Sequence, residues 1–123
     1  MSETLDRLER AILRLSQDGS IKDRLADAYA THLIDLDAEA LPKDLREGLD
    51  ELNFAMHREA PLPRESAIRA SVRKMSNQEA GHLAAMVVLM FTGLARAEHG
   101  MAPVQRPSRV ASPGPVVQLF AEA

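Results

Sequence analysis

The sequence predicts an all-α fold, a small up-and-down bundle of five helices around a central apolar helix, followed by a flexible C-terminal tail. Three observations carry this prediction. Apolar side chains recur every three or four residues in successive segments, which is the period of an α-helix. The turns between these segments are short, which favours antiparallel neighbours. The longest segment has no charged residue between Glu79 and Arg96, so we expect it at the centre.

The first two helices are predicted from amphipathic spacing and from the residues between them. The first covers residues 2–17, and its apolar positions are Leu5, Leu8, Ile12 and Leu15. Gly19 follows the last of these positions, as glycine commonly does at the end of a helix. Ser20 then provides a cap for a second helix with a broad apolar face, which we expect to run to Leu36.

Prolines mark the next two helices. Pro42 is suited to the first turn of a third helix, whose apolar positions are Leu45, Leu49, Leu52 and Met56. Pro61 and Pro63 then interrupt the chain. We expect Pro63 to start a short fourth helix over residues 64–74.

The central helix is predicted over residues 76–98. Ser76 and Glu79 have the spacing of a capping box, in which each side chain bonds the other residue's backbone N–H. Two stripes follow at helical spacing, a large one of Leu83, Val87, Met90 and Leu94 and a small one of Gly81, Ala85, Gly93 and Ala97. The apolar run over residues 80–95 is shorter than the roughly 20 residues that span a bilayer, so we expect a core helix and no membrane partner.

The chain divides into a helical domain, residues 1–100, and a Pro-rich tail, residues 101–123. The tail has four prolines and no helical period, which is typical of a flexible segment. Its end is apolar again at Val117, Leu119 and Phe120. These side chains could dock in an apolar groove of a partner, or they could fold back onto the protein's own surface.

Composition and charge exclude several classes of protein. Without cysteine, the chain has no disulfides, no thiol nucleophile and no thiolate metal site, which agrees with a cytoplasmic location. The N-terminus has no uninterrupted apolar run of the kind a secretory signal needs. The net charge is −3, with −6 in residues 1–60 and +3 in residues 61–123. We therefore expect no nucleic-acid partner, and we expect the two halves to attract each other.

Histidine provides the only hint of a metal site. Glu79 and His82 form a Glu-x-x-His pair, but a di-metal centre needs a second pair and further carboxylates, which the sequence lacks. His32 and His57 lie on two other predicted helices. Spacing alone does not show whether histidines from three helices come together. We therefore expect His57 to interact with the end of its helix and His32 to border the core, and we predict no cofactor.

A basic cluster precedes the central helix. Arg69 and Arg73 are four residues apart and share a helix face, with Lys74 next to them. Beside a helix N-terminus, they could bind a phosphate or a carboxylate. Alternatively, they pair with the acidic first half of the chain, for example around Asp44, Glu47, Asp50 and Glu51.

The sequence presents no nucleophile, no glycine-rich phosphate loop and no distinctive carboxylate pair. We therefore expect a non-catalytic helical adaptor or regulator that acts by protein–protein contact. One alternative is an anion-binding or enzymatic role at Arg69, Arg73 and His82. The other is a homo-oligomer, in which Gly81, Ala85 and Gly93 let a second copy of the central helix approach closely.

Overall fold

A computed structural model describes residues 2–100 of the chain, and all the regular structure in this part is helical. These residues form five α-helices, of which the long C-terminal one is at the centre, and this confirms the predicted fold class. The predicted tail lies outside the described residues. The helices are α1 (Glu3–Leu15), α2 (Ile21–Ala28), α3 (Lys43–Met56), α4 (Ala67–Lys74) and α5 (Asn77–Glu98).

Serine begins four of the five helices. In each case its hydroxyl accepts a hydrogen bond of 2.9–3.1 Å from the backbone N–H three residues later, which satisfies one of the amides left unpaired at a helix start. The four caps are Ser2, Ser20, Ser66 and Ser76. The fifth helix, α3, instead begins after Pro42.

One predicted helix start and one predicted capping box need correction. Helix α4 begins at Ala67, three residues later than predicted, because Ser66 is its cap and Arg64 has a φ of 67°, outside the right-handed helical region. At α5 the predicted capping box is only half formed. The Ser76 hydroxyl accepts a hydrogen bond from the Glu79 amide, but the Glu79 carboxylate accepts from Arg58, in the loop between α3 and α4, instead of from the Ser76 amide.

The second predicted helix changes its winding partway. Helix α2 ends at Ala28, and residues Tyr29–Leu33 form a π-helical turn in which the Ile34 amide donates to the Tyr29 carbonyl, five residues back, at 2.9 Å. The wider turn still places both Tyr29 and Leu33 in the core. A 3₁₀ turn, Ala38–Ala40, then leads to α3.

Helix α5 forms the centre of the core and contacts α1, α2 and α3, while α4 packs against α2 and α3. The predicted large stripe is confirmed, since all four of its residues are buried: Leu83, Val87, Met90 and Leu94. Helices α3 and α5 approach each other closely at Gly93. A Cβ atom there would lie 2.8 Å from Leu45 Cδ1, so the glycine lets α3 pack tightly on α5.

The other helices cover only part of the surface of α5. Only 33% of its most apolar 18-residue stretch is buried. By length and composition α5 could also cross a membrane, a criterion that the core helix of a soluble bundle satisfies equally well. The helix therefore has one side in the core and another on the surface.

Candidate functional site

The predicted anion-binding arginines are both engaged by carboxylates. Arg69 bonds Asp23 at 3.0 Å and Asp27 at 3.1 Å, joining α4 to α2. Arg73 makes two 2.9 Å hydrogen bonds to Glu65 in the loop before α4. An anionic ligand at this cluster would have to displace these carboxylates.

The Arg73–Glu65 pair also fixes the loop that precedes α4. Hydrogen bonds from Arg73, together with one from the Leu62 amide, lower the pKa of the Glu65 carboxyl to about 2. The third residue of the predicted cluster, Lys74, is exposed, and within residues 2–100 it makes no ion pair. The cluster thus ties α4 to its neighbours.

Glu79 and His82 bind different partners. The Glu79 carboxylate accepts two hydrogen bonds from the Arg58 guanidinium, at 2.9 and 3.1 Å, which lower the pKa of Glu79. His82 Nε2 lies 3.3 Å from a Glu51 carboxylate oxygen on α3. Among the described residues no three metal-ligating side chains come together.

The other two histidines considered as metal ligands lie in separate environments. His32, on the π-helical turn, lines an open polar cleft of about 350 Å³ beside α1, together with Glu3, Asp6, Arg7, Arg10 and Thr31. His57 follows α3 and packs edge-on against the Tyr29 ring, with ring centroids 5.6 Å apart. The Tyr29 hydroxyl donates to Asn53 Oδ1 at 2.6 Å, a contact that sequence reasoning missed.

The small stripe of α5 is divided between two environments. Gly93 faces Leu45 of the same chain, as described above. At Gly81, by contrast, an added Cβ atom would have no neighbour within 4 Å, and Ala85 is exposed. Part of the stripe is therefore filled by α3, and part lies on the surface.

The surface side of α5 carries a regular strip of side chains. Its positions are separated alternately by four and three residues, the spacing of a coiled-coil seam. The first four positions are exposed and the last two are half-buried. We call this strip the open face of α5: Gln78, His82, Ala85, Leu89, Thr92 and Arg96.

One large apolar side chain lies at the middle of the open face, and a second one lies beside it. Leu89 has an exposed fraction of 57%, and the adjoining Val88 has 43%. Sequence reasoning missed both as surface residues, because it followed the large and small stripes and left the remaining positions of α5 unassigned. No signal in the sequence marks them as exposed, because α5 is apolar on both sides and the packing of α1, α2 and α3 decides which side is covered.

Polar groups occupy the two ends of the open face. Near the N-terminal end, His82 is held by Glu51. At the C-terminal end, the Arg96 Nε atom is buried and has no hydrogen-bond partner among the residues that the structure describes. The predicted partner-binding residues of the tail, Val117, Leu119 and Phe120, lie outside the described part of the chain.

These features define a small all-α bundle whose central helix is exposed along one strip that is apolar at its middle and polar at its ends. No protein-family model matches the sequence, and no characterised protein or solved structure is significantly similar to it. The function must therefore be inferred from the chain's own geometry.

Proposed function

We propose that this protein is a small non-catalytic helical module that acts by protein–protein contact, with the open face of α5 as its binding surface. The observation that carries the proposal is the exposure of Leu89 and Val88 on the central helix of the bundle. Single exposed apolar residues are common, but two that adjoin each other on a central helix favour an interface.

The energetics of burial support the same proposal. Complete burial of a fully exposed Leu or Val side chain is worth about 1.5–3 kcal/mol, and because Leu89 and Val88 are about half exposed, burial of each is worth about half of that. A helix laid along the open face would cover Leu89 and Val88 at once, and Ala85 and Gly81 would allow its backbone to come close. Association through this face would therefore need no rearrangement of the core.

The polar groups that sequence reasoning considered for chemistry support a structural role. Arg58, Arg69 and Arg73 each bond a carboxylate of another segment. These pairs connect α2, α4, α5 and the loop between α3 and α4. They therefore hold α5, and with it the open face, in one position relative to the rest of the bundle.

Site-specific photo-cross-linking tests this proposal. A photoreactive residue at position 89 of the full chain is expected to cross-link to a protein in the producing cells. The matched control is position 13 on α1, because Leu13 is equally exposed, at 56% against 57%, and lies outside the open face. Cross-linking at neither position, or equally at both, would contradict the proposal.

A further inference from the structure

We infer that the open face of α5 binds the same face of a second copy of this chain, with the two α5 helices antiparallel about a twofold axis. This inference rests on the proposed function and names the partner. Two-fold dimers are the commonest protein assemblies, and each residue in their interface must complement its symmetry mate. The open face meets that requirement.

The complementarity follows from the positions along α5. With the twofold axis placed midway between Ala85 and Leu89, the exposed Leu89 of each copy lies opposite the small Ala85 of the other. A large side chain over a small one lets two helices pack without a void. Val88, on the flank of the strip, extends the apolar contact.

The same axis pairs the polar positions. His82 lies opposite Thr92, and Gln78 lies opposite Arg96. The amide oxygen of Gln78 would then lie near the positively charged guanidinium of the second copy's Arg96, whose N–H groups are donors. Glu51, beside His82, adds a negative charge near Arg96 of the second copy.

A parallel arrangement lacks this complementarity. It would place each residue of the strip opposite itself, so that two Arg96 side chains would meet and two Ala85 side chains would leave a gap over the axis. The antiparallel pair also sets opposite ends of the helix dipoles side by side. The sequence of the strip therefore favours the antiparallel dimer.

The length of the strip indicates how tight the dimer is. Eighteen residue steps from Gln78 to Arg96 correspond to about 27 Å of helix. One helix of that length per copy gives an interface at the small end of the range for specific complexes, about 1,200 Å² or less. We therefore expect reversible association that depends on protein concentration.

The first test measures the mass of the full chain by sedimentation equilibrium over a wide concentration range. We expect a shift from the monomer mass of 13.5 kDa to twice that value as concentration rises. Leu89→Asp is expected to abolish the shift, whereas Leu13→Asp on α1 is expected to leave it intact. Helix content by circular dichroism checks that both variants fold.

The second test fixes the direction of the helices. The chain has no cysteine, so His82→Cys and Thr92→Cys each introduce a single thiol. In the antiparallel dimer, oxidation of an equal mixture is expected to give the mixed disulfide. The same residue in two copies would be about 15 Å apart, beyond the reach of a disulfide. Homodisulfides of the His82→Cys variant alone would overturn the antiparallel arrangement.

Other outcomes separate this inference from the proposed function. A chain that stays monomeric at all concentrations, while position 89 cross-links to a different protein, would overturn the dimer and leave the proposed function standing. Cosedimentation with phosphatidylcholine or phosphatidylserine vesicles that Leu89→Asp abolishes would assign the open face to a membrane and overturn both. A position-89 cross-link at twice the chain mass supports both.

Discussion

The Tyr29 hydroxyl shows how a buried polar group is satisfied at the junction of three segments. Its ring is almost completely buried, and its O–H donates to Asn53 on α3. His57 Nδ1 lies 3.5 Å from the same oxygen and 3.1 Å from the Asn53 carbonyl oxygen. Because the phenol already has a partner, the aromatic ring can fill the core without leaving an unpaired donor.

Burial of this phenol predicts a measurable change in its ionisation. Burial, with a smaller contribution from the Asp35 charge, raises the pKa of Tyr29 from 10.0 to about 12. A raised pKa favours the protonated form in the folded state, so this contribution to stability is complete below pH 10 and is lost as the pH rises through about 12. Tyr29 is the sole tyrosine and the chain has no tryptophan, so phenolate absorbance measures it directly.

The control for this titration is the chain in denaturant, where we expect an ordinary tyrosine pKa. Asp35→Asn is expected to lower the folded-state pKa only slightly, because burial is the larger cause. A folded protein that titrates like the denatured chain would contradict the buried position of Tyr29.

At this scale the sequence predicts caps better than partners. Ser20 and Ser76 are identified as caps because the cap bond joins atoms three residues apart. The partners of Arg69 could not be identified in the same way. The sequence suggests the acidic first half, but the carboxylates that bond Arg69 are Asp23 and Asp27, more than forty residues away, which only the packing of α2 against α4 brings near.

The contact between α3 and α5 depends on a glycine. Gly93 lies directly beneath Leu45, so that the two helices approach more closely than any larger side chain would allow. Gly81, three turns earlier on α5, has open space around it. The same helix thus contains one glycine that is needed for packing and one that is not.

Alanine substitutions at these glycines are expected to differ. Gly81→Ala is expected to raise the free energy of unfolding by about 0.5–1 kcal/mol, because alanine loses less backbone entropy in a helix. Gly93→Ala gains the same propensity but forces Leu45 to move, so a smaller gain or a loss is expected. Denaturant unfolding at low protein concentration measures both changes.

The Leu45→Ala background provides the control. With the leucine methyls removed, Gly93→Ala is expected to recover the gain seen at Gly81, as a double-mutant cycle would show. Equal gains at the two glycines in the parent chain would be inconsistent with the close approach at Gly93.

The spacing of apolar residues predicts which residues are helical more reliably than it predicts which face of a helix is covered by other helices. The buried stripe of α5 is read from spacing alone, since Leu83 and Val87 recur on one side. The open face was not predicted, because α5 is apolar on both sides and only the positions of α1, α2 and α3 decide which side they cover. The spacing of apolar residues gives no indication of the π-helical turn, so the turn was not predicted.

Ion pairs connect the two halves of the chain, and those of Arg69 follow the difference in net charge between the halves. Arg69, from the basic half, bonds two aspartates of the acidic half, and Arg58 of the first half bonds Glu79 of the second. Each exposed pair contributes little by itself. Their effect is to select one arrangement of helices whose main stability comes from the apolar core.

A truncation tests how much of the chain that core requires. The buried cluster of the described residues runs from Leu5 to Leu94. Removal of residues 101–123 is therefore expected to leave the thermal unfolding midpoint nearly unchanged. The midpoint is read from the loss of helical circular dichroism on heating.

A shorter chain provides the comparison for this truncation. A chain that ends at Thr92 loses the buried Leu94 and is expected to unfold about 10 °C lower or more, since loss of a buried leucine side chain costs about 2–5 kcal/mol. A marked drop on removal of residues 101–123 alone would show that they contribute to the core.

The π-helical turn at Tyr29–Leu33 has a consequence for comparing this chain with others. Its hydrogen bond spans five residues instead of four, so the turn holds one residue more than the α-helix around it. A relative that lacks the extra residue would continue α2 as an uninterrupted helix and still bury the same faces. Alignments to such a relative should therefore allow a single-residue gap at this turn, inside what otherwise looks like continuous helix.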